Sequence, residues 1–261
     1  NLINKILVQS RFSFPKSLYA VHDTINFAVS NKPNALIVDF FAGSGTTLHA
    51  VNLLNAEDGG RRRCIMVTNN EVSADEAKML KDKGYQPGDA EWEKLGIAHY
   101  VTWPRTVCSI EGHDVNGNPL KGDYLGSEPP MHMADGFKAN AAFFKLSFLD
   151  STAVSLGMRF SEMLPTLWLK AGAKGKCPEL SSEQIPDMLI LPENKFAVLI
   201  NENTFASFSE KLAEHPEVQT VFLATDYEVN YQSMVKNLNV TEAYQLYRDY
   251  LDHFRLNRGR N

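Results

Sequence analysis

Asp39-Phe40-Phe41-Ala42-Gly43-Ser44-Gly45-Thr46-Thr47, directly behind the apolar run Ala35-Leu36-Ile37-Val38, is the stretch that decides the fold. A short apolar run ends on an acid, Gly43 and Gly45 follow, and an apolar helical pattern (Leu48, Ala50, Val51, Leu53, Leu54) comes next. This order predicts a buried strand, a glycine-rich bend and a helix N-terminus. The glycines let the backbone approach a ligand, and the first helical turn points free N–H groups at it. An acid closing the strand suits hydroxyl or ammonium groups better than phosphate. The pattern points to a nucleoside-type cofactor on an α/β sheet, and to S-adenosyl-L-methionine ahead of a nucleotide.

Competing motifs fail on particular residues. A phosphate loop of the Gly-x-x-x-x-Gly-Lys-Ser/Thr kind needs a lysine that does not follow Gly45. A dinucleotide fingerprint needs a third glycine where Leu48 stands. A nucleophile elbow needs glycines flanking Ser44 at two residues on each side, and Ala42 and Thr46 occupy those positions. Ser44 is therefore a turn residue.

With Phe12-Ser13-Phe14-Pro15-Lys16-Ser17-Leu18 included, the stretch resembles the amino-methylating DNA methyltransferases. The match is to the adenine-N6 group whose cofactor motif follows the catalytic one, as in modification subunits of type III restriction systems. It covers residues 10 to 75; Tyr100 to Arg105 and Leu164 to Gly172 are similar to later parts of such enzymes. The resemblance implies a cofactor site made of Phe14, Lys16, Asp39, Phe41, Gly43, Ser44, Gly45, Thr46 and Thr47. Asp39 would accept from the donor's ammonium group, while the loop amides, Thr46, Thr47 and Lys16 would lie near its carboxylate. Phe14 and Phe41 would wall the pocket. The second strand of such a fold ends in an acid that binds ribose; here Thr68-Asn69-Asn70-Glu71 follows Val67, so Glu71 or Asn69, with Asn70 beside it, takes that role.

The family's Asp-Pro-Pro-Tyr-like catalytic motif is missing. Glu128-Pro129-Pro130-Met131 follows no strand pattern and lacks the stacking aromatic, so it reads as connection. No catalytic residue is assigned to this chain, and the expectation is a C-terminal portion of a larger methyltransferase whose catalytic and target-reading parts lie upstream. The partners expected of it are DNA, gripped mainly by that upstream part, and a restriction or helicase subunit or a second copy. An interaction fragment is the rival reading, and an RNA or protein substrate a weaker one.

Composition agrees with an ordinary globular chain: 261 residues, 44% hydrophobic, 22% charged. The net charge of −5 gives no basic surface typical of a free-standing DNA-binding module. Cys64, Cys108 and Cys177 are widely spaced and odd in number, against a disulfide framework or metal cluster. No metal site is assigned, and the expected location is the cytoplasm.

Three segments are expected: residues 1–125 as the cofactor-binding part, 126–138 as a linker, and 139–261 as a second α/β region. In the first, a helix runs from Pro15 to Val29, then the Ala35–Val38 strand and the loop helix. A turn at Gly59 to Arg63 precedes a strand at Cys64–Thr68, and Ser73 and Glu76 form a capping box for a helix closed by Gly84. Arg61-Arg62-Arg63 could meet phosphates or simply be a solvated turn. Asn116-Gly117 between Ile110–Val115 and Leu120–Leu125 suggests a hairpin, with His113-Asp114 as turn residues. Only about half the strands of a methyltransferase sheet are present, so something should cover the open central strand.

In the second region the pattern is a strand-like run at Phe143–Phe148, then an apolar helix from Val154 to Lys170 interrupted at Pro165. A strand at Met188, a turn at Pro192–Lys195 and a strand at Phe196–Ile200 follow. A helix at 204–214, a strand at Val218–Ala224 and a helix at 228–237 come next, and Val240–Leu256 is strand then helix, or one helix. Tyr244, Tyr247, Tyr250 and Phe254 would form one helix face, buried in a core or a partner interface.

Overall fold

The computed structural model describes residues 2–8, 12, 14–126, 129–146, 160–180 and 185–246. The chain is α/β and divides into two units, Asn1–Lys145 and Leu146–Asn261.

The first unit starts with helix α1 (Leu2–Leu7) and continues to α2 (Leu18–Val29). The latter begins later than the proline suggested: Ser17, extended at ψ 130, is the N-cap, and its hydroxyl accepts from the Ala20 amide. Pro15 thus lies before the helix, and Ser13 is outside the described residues. Strand β1 (Leu36–Asp39) runs parallel to β2 (Arg63–Met66), with Val38 opposite Ile65 and Asp39 opposite Met66. Between them lies α3 (Thr46–Asp58), framed by two glycines with left-handed backbone, Gly45 (φ 73) and Gly59 (φ 71). Side chains without a Cβ take this conformation without strain, so the bend and the stop are both set by composition.

Helix α4 (Ala74–Asp82) has the expected capping box: the Ser73 hydroxyl accepts from the Glu76 amide and donates to Glu76 Oε2. A short α5 (Ala90–Glu93) and a π-turn at Ala98–Thr102 lead into α6 (Trp103–Glu111). The run Ile110–Val115 is therefore not a strand. Pro104 in the first turn starts a helix there, and Gly112 (φ 77) ends it. The Asn116-Gly117 turn forms, with the Asp114 carboxylate accepting from the Asn116 and Asn118 amides, but its arms share only the His113–Pro119 bridge. Residues 126–138, read as a connection, bring Met133 and Phe137 into the unit's core beside Ile3, Ile6, Leu18, Leu53, Val101 and Tyr124.

Arg62 is almost wholly buried, against both readings of the arginine run, phosphate-facing and solvated turn. Its guanidinium pairs with Asp58 at 2.8 Å and donates to the carbonyls of Val29 and Ser30, tying the end of α2 to the end of α3. Arg61 and Arg63 are exposed.

The second unit has helix α7 (Phe160–Lys170) and strands β3 (Met188–Leu191) and β4 (Phe196–Leu199). Helix α8 (Phe205–Ala213), strand β5 (Thr220–Ala224), helix α9 (Glu228–Lys236) and strand β6 (Glu242–Leu246) follow. Its sheet has the order β3-β4-β5-β6, antiparallel at the first pair and parallel thereafter. Strand alternation splits the core in two. Phe196, Val198, Phe222 and Ala224 meet α7 on one face; Ala197, Leu199, Val221 and Leu223 meet Phe208, Leu212 and Met234 on the other. That is why β4 and β5 read as unbroken apolar runs, since both faces are covered. Pro165 is inside α7 without ending it. Residues 141–146 have no regular structure, so the run beginning at Phe143 is not a strand over its described part. Tyr244 belongs to β6 and stacks on Phe222; Phe148, the start of the 154–170 helix, Tyr247, Tyr250 and Phe254 are outside the described residues.

Candidate functional site

The end of β1, the bend and the start of α3 are joined by one carboxylate. Asp39 Oδ1 accepts from the Phe41 amide at 3.0 Å, and Oδ2 accepts from the Thr47 hydroxyl at 2.6 Å. The strand tip, the bend and the first helical turn therefore keep a common geometry. Each Asp39 oxygen retains a lone pair for a further donor. Beside it runs a groove of about 420 Å³ lined by Val21, Thr24, Ile25, Val38, Asp39, Phe40, Phe41 and Thr47. Its walls are mostly apolar with one carboxylate, a chemistry that fits an aliphatic chain carrying an ammonium group.

Gly43 (φ 50) and Gly45 (φ 73) both have left-handed backbone. At Gly45 the left-handed backbone favours glycine, and an added Cβ would lie 3.2 Å from Thr102 Cγ2, a tight contact. The Thr102 hydroxyl donates to the Gly43 carbonyl, anchoring the bend from the π-turn.

Ser44 and Thr46 are buried, and their hydroxyls lie 3.1 Å apart. Both accept from Arg105 Nη1, at 3.2 and 2.7 Å, and the Ser44 carbonyl accepts from the same nitrogen at 3.2 Å. Arg105 Nε donates to His49 Nδ1 at 3.5 Å, and His49 Nε2 meets the Tyr124 hydroxyl at 2.9 Å. Burial, and then the neighbouring guanidinium, hold the His49 pKa well below its usual 6.5, leaving the ring neutral. A neutral ring that accepts at Nδ1 carries its proton on Nε2, which donates to Tyr124. Burial brings Arg105 down to about 10, so the group stays charged at neutral pH.

Of the other sequence-derived positions, Phe14 and Phe41 are exposed at 87% and 90%. Lys16 is exposed and lines a second cavity of about 310 Å³ with Pro15, Ser17, Tyr19 and Arg105. Past β2, the Asn69 amide donates to Glu71 Oε1 at 3.1 Å, and both side chains are exposed. Asn70 is committed elsewhere: it donates to the Glu93 carbonyl and accepts from the Ala98 and His99 amides, stapling the 93–99 segment to the strand end. Among the described residues no group of three His, Cys, Asp or Glu side chains could hold a metal ion, and no helix is long and apolar enough to cross a membrane. Arg105, His49 and Tyr124 were not singled out from sequence. Their partners lie 56 to 75 residues apart, and the only local signal was a lone arginine after Trp-Pro.

No family model matches the chain. It is similar to the type II methyltransferase M.KpnI of Klebsiella pneumoniae, 49% identical over 70 residues, or 27% of this chain and 16% of that protein. It is also similar to the StyLTI Mod subunit of a type III restriction-modification enzyme from Salmonella typhimurium, 38% identical over 78 residues (30% of this chain, 12% of that protein). The EcoPI Mod subunit of Escherichia phage P1 is 37% identical over 70 residues (27% and 10%). The resemblance read from sequence is borne out: over 70 to 78 residues the chain is similar to a type II methyltransferase and to Mod subunits of type III restriction-modification enzymes. The matched segments span less than a fifth of each relative's length.

Proposed function

We propose that this chain is the S-adenosyl-L-methionine-binding, C-terminal part of a DNA adenine-N6 methyltransferase from a restriction-modification system, built on a partial Rossmann-like sheet. The observation that supports this most is the double use of Asp39, which links strand tip, glycine bend and helix start into one cradle. When bound, the cofactor supplies the methyl group. Asp39 would hold its ammonium group, the amides after Gly43 and Gly45 with Thr46 and Thr47 would face its carboxylate, and Lys16 would add charge. Phe14 and Phe41 would cover the chain, and Glu71 with Asn69 would take the ribose hydroxyls.

One face of the two-stranded sheet is open, with Leu36, Val38 and Ile65 45% to 51% exposed, and among the described residues β1 pairs only with β2; the upstream part would cover that face and supply a further strand beside β1. The upstream part would bring the Asp-Pro-Pro-Tyr-like residues and most of the DNA contact, and adenine would leave the duplex so that its amino nitrogen reaches the methyl group. The second unit would dock a restriction subunit or a second copy, in the cytoplasm.

Methyl transfer from labelled S-adenosyl-L-methionine to adenine-containing DNA tests this. Transfer is expected from the full-length protein and not from residues 1–261 alone. Transfer by the fragment alone, or labelled cytosine in place of adenine, contradicts it.

A further inference from the structure

Arg105 is among the largest fully buried side chains, yet no carboxylate among the described residues pairs with it. A buried guanidinium without a counter-charge is costly, and its hydrogen bonds to neutral acceptors offset only part of that cost. Those bonds account for the Nη1 and Nε donors; no pairing carboxylate among the described residues accounts for the charge. Every acceptor bound by Nη1 belongs to the glycine loop, and the one group on Nε is a neutral imidazole. The positive charge is thus directed at Ser44 and Thr46, next to the amides at the start of α3. Arg105 also lines the cavity shared with Lys16 and Ser17, at the N-terminus of the twelve-residue α2. The Arg105 cation and the start of α3 raise the potential at one end of the loop, with Asp39 at its other end.

We infer that Arg105 is a positioning residue of the cofactor loop: it fixes Ser44 and Thr46, and its uncompensated charge makes the loop selective for a ligand bearing a carboxylate. The inference rests on the reading of this loop as the S-adenosyl-L-methionine site. Arg105 touches no ligand itself. It acts through the loop, in a low-dielectric interior where a charge some ångströms away still counts.

The test is calorimetry on the full-length protein with S-adenosyl-L-methionine and with its decarboxylated analogue, which keeps the sulfonium, ammonium and nucleoside but lacks the carboxylate. Arg105→Gln is expected to weaken the first at least tenfold and the second less than threefold, so that preference for the carboxylate collapses. Arg105→Lys keeps a charge without the fork; it is expected to weaken both ligands while retaining the wild-type preference. Equal losses for both ligands in a folded Arg105→Gln protein overturn the electrostatic role. Should that variant not fold, Arg105→Lys decides: wild-type affinity for both ligands, or a lost preference, overturns the inference. Failure of the site reading looks different, because the wild type would then take up neither ligand, or Asp39→Ala would change nothing.

Discussion

The Thr47 hydroxyl donates to Asp39 Oδ2 at 2.6 Å, fastening the first turn of α3 to the last residue of β1 across the glycine bend. The bond spans eight residues and crosses the region where the chain reverses. A neutral hydroxyl on a carboxylate is a charge-assisted bond, stronger than most.

Thr47→Val removes that donor at nearly constant volume. A loss of about 1 to 2 kcal/mol in stability is expected, read from urea midpoints. Thr47→Ser, which keeps the hydroxyl, should stay close to wild type.

His49 makes the first unit acid-sensitive. Its folded pKa is held well below 6.5, so under acid conditions the unfolded chain binds a proton that the folded chain refuses. Stability falls as pH drops below 6.5. His49→Gln should flatten this fall between pH 7.5 and 5, measured as denaturant midpoint; an unchanged slope would mean another group titrates.

His22 works in the opposite sense. Burial lowers its pKa, but hydrogen bonds to Asp23 and Glu57 outweigh it and raise the net value above 6.5. Its contribution is full below the unfolded value of 6.5 and is lost as pH rises through the folded value. His22→Gln should therefore cost more stability at pH 6 than at pH 9.

Arg62→Met removes the partner of Asp58 at the end of α3 and frees two carbonyls at the end of α2. A loss of about 1 to 2 kcal/mol is expected, because two carbonyls lose their donor while Asp58, 37% exposed, is taken up by water. Arg61→Met, at an exposed position, should cost little, and thermal melts of the two variants separate the roles.

Local rules read well where a signal was local. The strand-bend-helix at Asp39, the Ser73 box and the apolar runs of β4 and β5 all follow from neighbours within a few residues. In the second unit the strand and helix order from Met188 to Leu246 came out nearly element for element, because fully covered strands carry no polar interruptions. Ile110 to Val115 looked extended because isoleucine and valine favour strands, but Ile110 and Glu111 are the last residues of α6, which Pro104 helps start and Gly112 ends. Arg62 looked solvated because arginine runs usually are, and only the tertiary position of Asp58 and Val29 buries it. Arg105 was invisible for the same reason: nothing near it in sequence says that Ser44 and Thr46 come to meet it.

The central claim is that the Asp39 cradle takes up the methyl donor. Isothermal titration of the full-length protein with S-adenosyl-L-methionine tests it most directly. Saturable binding is expected, weakened at least tenfold by Asp39→Ala. Absence of binding, or binding that Asp39→Ala leaves untouched, contradicts it.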